Sequence, residues 1–305
     1  MNLLHNLALD LDVVFTQINL IYILTACVLG MSMGIFLAKK QARTFNEQGY
    51  GGAGAATKDS RNLPNVIFFE YGDMRFLHLG TPAVQGSMQI SKPFDIHLEY
   101  VQRMMGWLLF ADLNQVSHLQ AMQLGLGAAS LTKFCHMHLG MQTTAVELNP
   151  QVVAMCRLWF NLPEDNATLQ VLVGDAAEVA GQEKWRGKID VLQVDLSDQK
   201  ADGPVLDSEA FYTDCKQLLT DNGCMTVNLF GRHANIARSV QKIANVFGKD
   251  ALWSFKHTKA GNTILLAFRT PRIWDKQALL SQAQAIQVRW PLPAAKWLNV
   301  LAPVN

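Results

Sequence analysis

The sequence carries no surplus of charge of either sign. Its formal net charge is +1 over 305 residues, so the overall balance offers no electrostatic grip on nucleic acid, and none is expected as a partner. Paired cysteine spacings are also missing. The five cysteines, Cys27, Cys135, Cys156, Cys215 and Cys224, are scattered with no CxxC. That argues against a zinc site or a disulfide frame and for a reducing, cytoplasmic compartment. Cys135 and Cys156 fall inside helix-like runs and read as small buried hydrophobes. There is no internal repeat and no long low-complexity tract. What is there is apolar: hydrophobic residues make up 50% of the chain with both charge signs interspersed, which suits one large buried core, alone or with a small appendage.

The N-terminal region differs from the rest. From Val13 to Ala38 no residue is charged, a run long enough to span a bilayer. Asp10 and Asp12 precede it, and Lys39, Lys40 and Arg43 follow, so the positive-inside rule puts the body of the protein on the cytoplasmic side, tethered to the inner face of the membrane. A cleaved signal peptide fits less well, because no Lys or Arg precedes the apolar run. The competing reading is a misassigned start, with translation beginning at Met31 or Met33. Residues 1–40 are therefore read as a hydrophobic segment and 41–62, with "GYGGAGAATK" at its centre, as a linker.

Residues 63–96 read as a small β domain. "NVIFFEYGDMRFLHLG" and "AVQGSMQI" alternate in polarity and are punctuated by glycine, the pattern of antiparallel hairpins. Residues 97–305 form the second domain, opening with an amphipathic helix over His97–Phe110 that sets Tyr100, Met104, Trp107 and Leu108 on one face. From Leu119 strands and helices alternate. The predicted helices include one capped by Asn149 with Pro150 at its first position, and one running from Ser208 to Gly223. The chain ends on "ALWSFKH" and "NTILLAFR", joined by too few residues for a helical crossover, so that pair must be antiparallel. The expected architecture is α/β and Rossmann-like of the methyltransferase type. It has a mostly parallel seven-stranded sheet with an antiparallel last strand, preceded by a small β-hairpin domain.

In such a sheet the ligand lies beyond the carboxyl ends of the strands. Those ends carry Gly125 and Gly127 in "QLGLGAAS", Glu147 in "AVELN", Asp175 in "VGDAAEV", and Asp195 and Asp198 in "QVDLSD". The two glycines permit a tight turn and a close backbone approach to a ligand. Glu147 can accept both hydroxyls of a ribose, and Asp175 can meet an adenine amino group or simply cap the helix that follows it. Together these residues describe an adenosine cradle. A dinucleotide site is disfavoured, because the third glycine of GxGxxG is Ser130 here and the last strand is antiparallel. Asp195 and Asp198 suit an amine substrate: they attract an ammonium, and one can remove its proton to free a nucleophilic nitrogen. His136 and His138 lack a partner at metal-ligand spacing and read as surface or packing residues; no metal is expected.

At these residues the chain resembles the spermidine synthase family, the polyamine aminopropyltransferases, from about Tyr71 to Phe230. "RFLHLGTPAVQGSM" is similar to the family's N-terminal hairpin, with Gln85 at its recurrent glutamine. "LGLGAAS" stands at its cofactor turn, "VELN" at its ribose acid and "GDAAEV" at its adenine-side acid. "VDLSD" with "GPVLDSEAFY" stands at its active-site acid loop and following helix. The resemblance implies decarboxylated S-adenosylmethionine as co-substrate, with no permanently bound cofactor, and a diamine such as putrescine as acceptor. It implies Asp195 as proton acceptor, Asp198, Gln85 and Tyr100 as substrate contacts, and a homodimer. Three stretches depart from the family's pattern. Ala128 replaces an aspartate of the cofactor turn, Tyr100-Val101-Gln102 replaces Tyr-His-Glu, and Gln199 replaces a proline. Two alternatives follow: a methyltransferase using S-adenosylmethionine itself, or a non-catalytic nucleoside- or polyamine-binding member of the same fold.

Overall fold

A computed structural model describes residues 63–196, 205–231, 233–272 and 275–304. The expected membrane span at 13–38 and the linker at 41–62 lie outside the described residues. Among the described residues no helix is long and apolar enough to cross a membrane.

The first three strands, β1 (Val66–Tyr71), β2 (Met74–Leu79) and β3 (Val84–Gln89), form an antiparallel sheet in the order β1-β2-β3. Helix α1 (Glu99–Met104) follows and tightens into a 3-10 turn over Met105–Phe110. The second sheet opens with β4 (Gln120–Leu124), α2 (Ser130–Lys133, continued by a π turn over Phe134–His138), β5 (Gln142–Glu147) and α3 (Pro150–Trp159). Next come β6 (Leu169–Val173), α4 (Ala176–Ala180), β7 (Ile189–Val194), α5 (Glu209–Leu218) and β8 (Leu219–Phe230). The chain then runs through α6 (His233–Phe247), β9 (Leu252–Phe255), β10 (Asn262–Phe268), α7 (Lys276–Arg289), α8 (Ala294–Trp297) and β11 (Leu301–Pro303).

The strand order is β11-β9-β10-β8-β7-β4-β5-β6. Strands β6, β5, β4, β7 and β8 are parallel, and β10 runs antiparallel between β8 and β9. This is the expected architecture with an eighth short strand, β11, added at the edge. Because β10 is reversed, its first residue, Asn262, reaches the rim where the parallel strands end.

The central strands are buried on both faces, as parallel strands covered by helices must be. On one face Val191, Cys224 and Ile264 pack under α1, α7 and α8; on the other Met122, Leu192, Met225 and Leu265 pack under α4, α5 and α6. The 3-10 turn after α1 is sunk entirely in the first layer: Met105, Trp107, Leu108, Leu109 and Phe110 are each at most 2% exposed. Burial on that scale stabilises by about 1.5–3 kcal/mol per side chain. A third cluster seats β1–β3 on α3 through Val66, Leu77 and Met88 against Met155 and Phe160.

Helix starts follow local chemistry. Asn149 Oδ1 accepts from the Gln151 N–H at 3.0 Å with Pro150 behind it, and Ser208 Oγ accepts from the Phe211 N–H at 3.1 Å. The helix expected to reach Gly223 stops at Leu218. Its last carbonyls, on Lys216 and Leu219, are taken by the Arg269 guanidinium, and Leu219 turns into strand, buried opposite Ile189.

Candidate active site

Strand register brings the candidate side chains together. Leu124 of β4 pairs with Val146 of β5 and Val194 of β7, and Val194 pairs with Val227 of β8. The next residue on each strand is therefore Glu147, Gly125, Asp195 or Asn228, in that order across four adjacent strands. Adjacent strands lie about 4.8 Å apart, so the two acids stand roughly 10 Å from each other with the glycine between them.

Asp195 is held from two sides. The Tyr100 hydroxyl of α1 donates to Oδ2 at 3.2 Å, and the Asn228 amide of β8 donates to Oδ1 at 2.9 Å. Its own N–H donates to Leu124 O at 2.9 Å, extending the ladder one residue past the strand. Burial pushes the Asp195 carboxyl above the usual carboxylate range, while the bonds from Asn228 and Tyr100 pull it back. Burial, together with the neighbouring Asp195 charge, holds the Tyr100 phenol well above its ordinary value. Tyr100 is thus a standing donor to the acid. Asn228 escaped the sequence reading. The available signal was a lone amide inside the apolar strand "MTVNLF", since a buried amide requires partners.

Glu147 is drawn under the glycine turn. Oε2 accepts from the Leu126 N–H at 3.0 Å and Oε1 from the Asn149 N–H at 2.8 Å. Burial raises its carboxyl, against the pull of these backbone donors. The Leu148 N–H adds a third backbone pull on the carboxylate, and the lone-pair capacity that remains is open to a further donor. Beside it, Leu148 and Val173 are 49% and 46% exposed, two apolar faces at the ends of β5 and β6. Asp175 caps α4, with Oδ1 accepting from the Ala177 and Glu178 N–H groups. Asp198 lies outside the described residues.

The turn itself is tight. Gly125 has φ +92° and Gly127 φ +52°, and a Cβ built on Gly125 meets the Asp195 carbonyl oxygen at 2.2 Å. Strand β3 covers the turn: the Gln85 carbonyl oxygen lies 3.1 Å from a Cβ placed on Gly127, and Ser130 Oγ donates to Ser87 O at 3.2 Å.

No family model matches the chain. A curated relative, the polyamine aminopropyltransferase of Chromobacterium violaceum, is 31% identical over 245 residues, which cover 80% of this chain and 91% of the relative. The chain belongs to the spermidine synthase (polyamine aminopropyltransferase) family. Solved structures agree on the fold. A probable spermidine synthase from Corynebacterium glutamicum matches with TM-score 0.61 at 19% identity, covering 78% of this chain and 87% of that one. A human methyltransferase-like protein in complex with SAH matches with TM-score 0.57 at 24% identity, covering 63% and 92%.

One departure of this aminopropyltransferase-family chain now has a physical setting. Ala128, at the position of the family's usual aspartate, is 3% exposed, and a Cβ on Gly86 of β3 comes within 2.7 Å of its Cβ and N. The hairpin closes over the site of the missing acid. Gln102 instead donates to Ile96 O at 2.8 Å, bracing the entry to α1. His138 pairs with Asp95 at 2.9 Å and packs on Phe134, a structural role. Among the described residues no group of His, Cys, Asp and Glu is placed to hold a metal ion. A surface groove of about 600 Å³ between α5 and α6 is lined by Lys216 and Arg269, but both cations are engaged by backbone carbonyls and it lies away from the rim.

Proposed function

We propose that this chain transfers an aminopropyl group from decarboxylated S-adenosylmethionine to a di- or polyamine such as putrescine, with Asp195 as the proton acceptor. The observation that carries this reading is the row Glu147–Gly125–Asp195–Asn228. It puts an acid able to take ribose hydroxyls and an acid able to take an amine proton on either side of one glycine turn.

In this mechanism Glu147 uses its remaining lone-pair capacity for the ribose, while Leu148 and Val173 lie against the base and the second Asp175 oxygen meets its amino group. The missing Cβ atoms of Gly125 and Gly127 make room for the Asp195 and Gln85 carbonyls, and the donor's sulfur side lies along the turn that these contacts fix. The acceptor amine enters beside Asp195, with Gln85 and Asp198 as further contacts. Asp195 takes a proton from the acceptor's ammonium, and the freed nitrogen lone pair attacks the methylene carbon on the sulfonium. The carbon–sulfur bond breaks toward sulfur, so neutral methylthioadenosine leaves and the product departs as a secondary ammonium. Sulfonium is already a good leaving group, so most of the rate comes from holding nitrogen, carbon and sulfur in line. Tyr100 and Asn228 contribute by fixing which carboxylate lone pairs face the amine.

One observation favours a second reading. Ala128 leaves no carboxylate at the turn to bind the donor's ammonium, and β3 leaves no room to restore one, so selection for the decarboxylated donor is weakened. That favours a methyltransferase using S-adenosylmethionine. Incubating the protein with each donor and a polyamine panel separates the two, methylthioadenosine marking the first and S-adenosylhomocysteine the second. The four cysteines among the described residues are free and buried, which supports a cytoplasmic setting. The homodimer implied by the family is tested by light scattering.

A further inference from the structure

We infer that Asn262 is a positioning residue for Asp195, acting through Asn228. This rests on the reading of Asp195 as the proton acceptor. An asparagine side chain is nearly symmetric in shape but opposite in chemistry at its two ends. If the Asn228 amide were reversed, its oxygen would face the Asp195 carboxylate and repel it. Asn228 is 5% exposed, so bulk water is not available to favour one orientation. The deciding partner is Asn262: its Nδ2 donates to Asn228 Oδ1 at 3.1 Å, and Asn228 Nδ2 then donates to Asp195 Oδ1 at 2.9 Å.

Asn262 is oriented in turn by the connection between β9 and β10. Its N–H donates to Thr258 Oγ1 at 3.0 Å, and the Thr258 hydroxyl donates back to Asn262 Oδ1 at 3.5 Å. The loop is closed by Thr258 N–H to Asn262 O at 2.8 Å and Gly261 N–H to Thr258 O at 3.1 Å. Three donors therefore point the same way, from Thr258 through Asn262 and Asn228 to the carboxylate, an arrangement in which each bond polarises the next. Only a reversed strand between β8 and β9 brings its first residue to this rim. The antiparallel β10 thus carries a chemical consequence, aiming the amide that faces the acid.

Among the described residues, Tyr100 on α1 is the ionisable side chain facing Asp195. Strand β4 presents backbone there, β8 presents the Asn228 amide, and β10 reaches the acid through Asn228. Loss of the Asn262 donor frees Asn228 to turn and withdraws a hydrogen bond from the charged form of the acid. The test is a ¹³C NMR titration of the Asp195 carboxyl in the substrate-free protein, alongside the pH profile of kcat. In Asn262→Ala the carboxyl midpoint moves up by about one pH unit, a tenfold change in proton affinity. The acidic limb of kcat moves with it, and KM for the donor stays unchanged. Asn228→Ala gives the same displacement, and the double variant gives no more than either alone. Asn262→Asp, close in shape but unable to donate when ionised, moves the midpoint further and serves if the alanine variant does not fold. An unmoved Asp195 midpoint in a folded Asn262 variant, or additive displacements in the double variant, overturns the proposal. The NMR arm decides this even if wild-type protein turns over neither donor, so failure of the aminopropyl-transfer reading remains distinguishable.

Discussion

Gly125 and Asp195 lie so close that a methyl group cannot fit between them: a Cβ on the glycine falls 2.2 Å from the Asp195 carbonyl oxygen. The glycine turn and the acid strand are therefore one mechanical unit, and what displaces the turn displaces the acid. Gly125→Ala should lower kcat/KM by about a hundredfold through misplacement of the reacting groups. The positive φ and the overlap add a stability loss of about 1–3 kcal/mol. Steady-state kinetics with a denaturant melt check both.

Asp195→Asn separates catalysis from stability. The amide can still accept from Asn228 and can donate to the Tyr100 oxygen, so the local bonds survive, while the proton acceptor is lost. Turnover should fall by about 10²–10⁴-fold, with methylthioadenosine binding retained. The pH dependence has a defined sign. The Asp195 carboxyl is raised in the folded protein, so its contribution to stability is fully present below the ordinary carboxylate range. That contribution is lost as pH rises through the folded value. The variant has no such loss, and its Tm relative to wild type should climb as pH is raised from acid to neutral. A Tm difference that falls over that range would contradict the assignment.

Tyr100→Phe removes one donor from the buried carboxylate. The acidic limb of kcat should move to higher pH by about one unit, because the charged acid loses a stabilising bond. KM for the donor should not follow. A pH–rate profile reads this directly.

Glu147→Gln places an NH₂ group where the Leu126 and Asn149 N–H groups now find acceptors. One of those backbone donors is left unpaired and a charge-assisted ribose contact is lost, together about 1.5–3 kcal/mol or a ten- to hundredfold weaker nucleoside affinity. Calorimetry with methylthioadenosine measures it.

Restoring the family's acid should fail. Ala128→Asp puts a carboxylate into space closed by Gly86, and the overpacking alone costs about 1–3 kcal/mol. A lowered Tm without improved preference for the decarboxylated donor is the expected outcome, read by thermal melts and competition between donors.

The alternation of strands and helices was legible because parallel strands buried on two faces are continuous apolar runs, and helix starts such as Asn149-Pro150 carry their own caps. The antiparallel pair was legible from connection length alone. Helix α7, after the final antiparallel pair, was not. Its buried stripe of Leu279, Ala283 and Ile286 is masked by Leu280 and by Val288, which is 87% exposed. In the site, acids at strand ends could be read from position. Their amide partners Asn228 and Asn262 could not, because pairing depends on strand register and on β10 lying beside β8, which no local pattern encodes. Asp175 shows the converse limit: its Oδ1 caps α4, and a cap of this kind is as legible in the sequence as a ligand acid at the same position.

The central claim is tested most directly by mass spectrometry of the products formed from each sulfonium donor with putrescine. The account predicts methylthioadenosine and an amine heavier by one aminopropyl group from the decarboxylated donor, both absent with Asp195→Asn. S-adenosylhomocysteine as the sole nucleoside product, or undiminished turnover in the Asn variant, would contradict it.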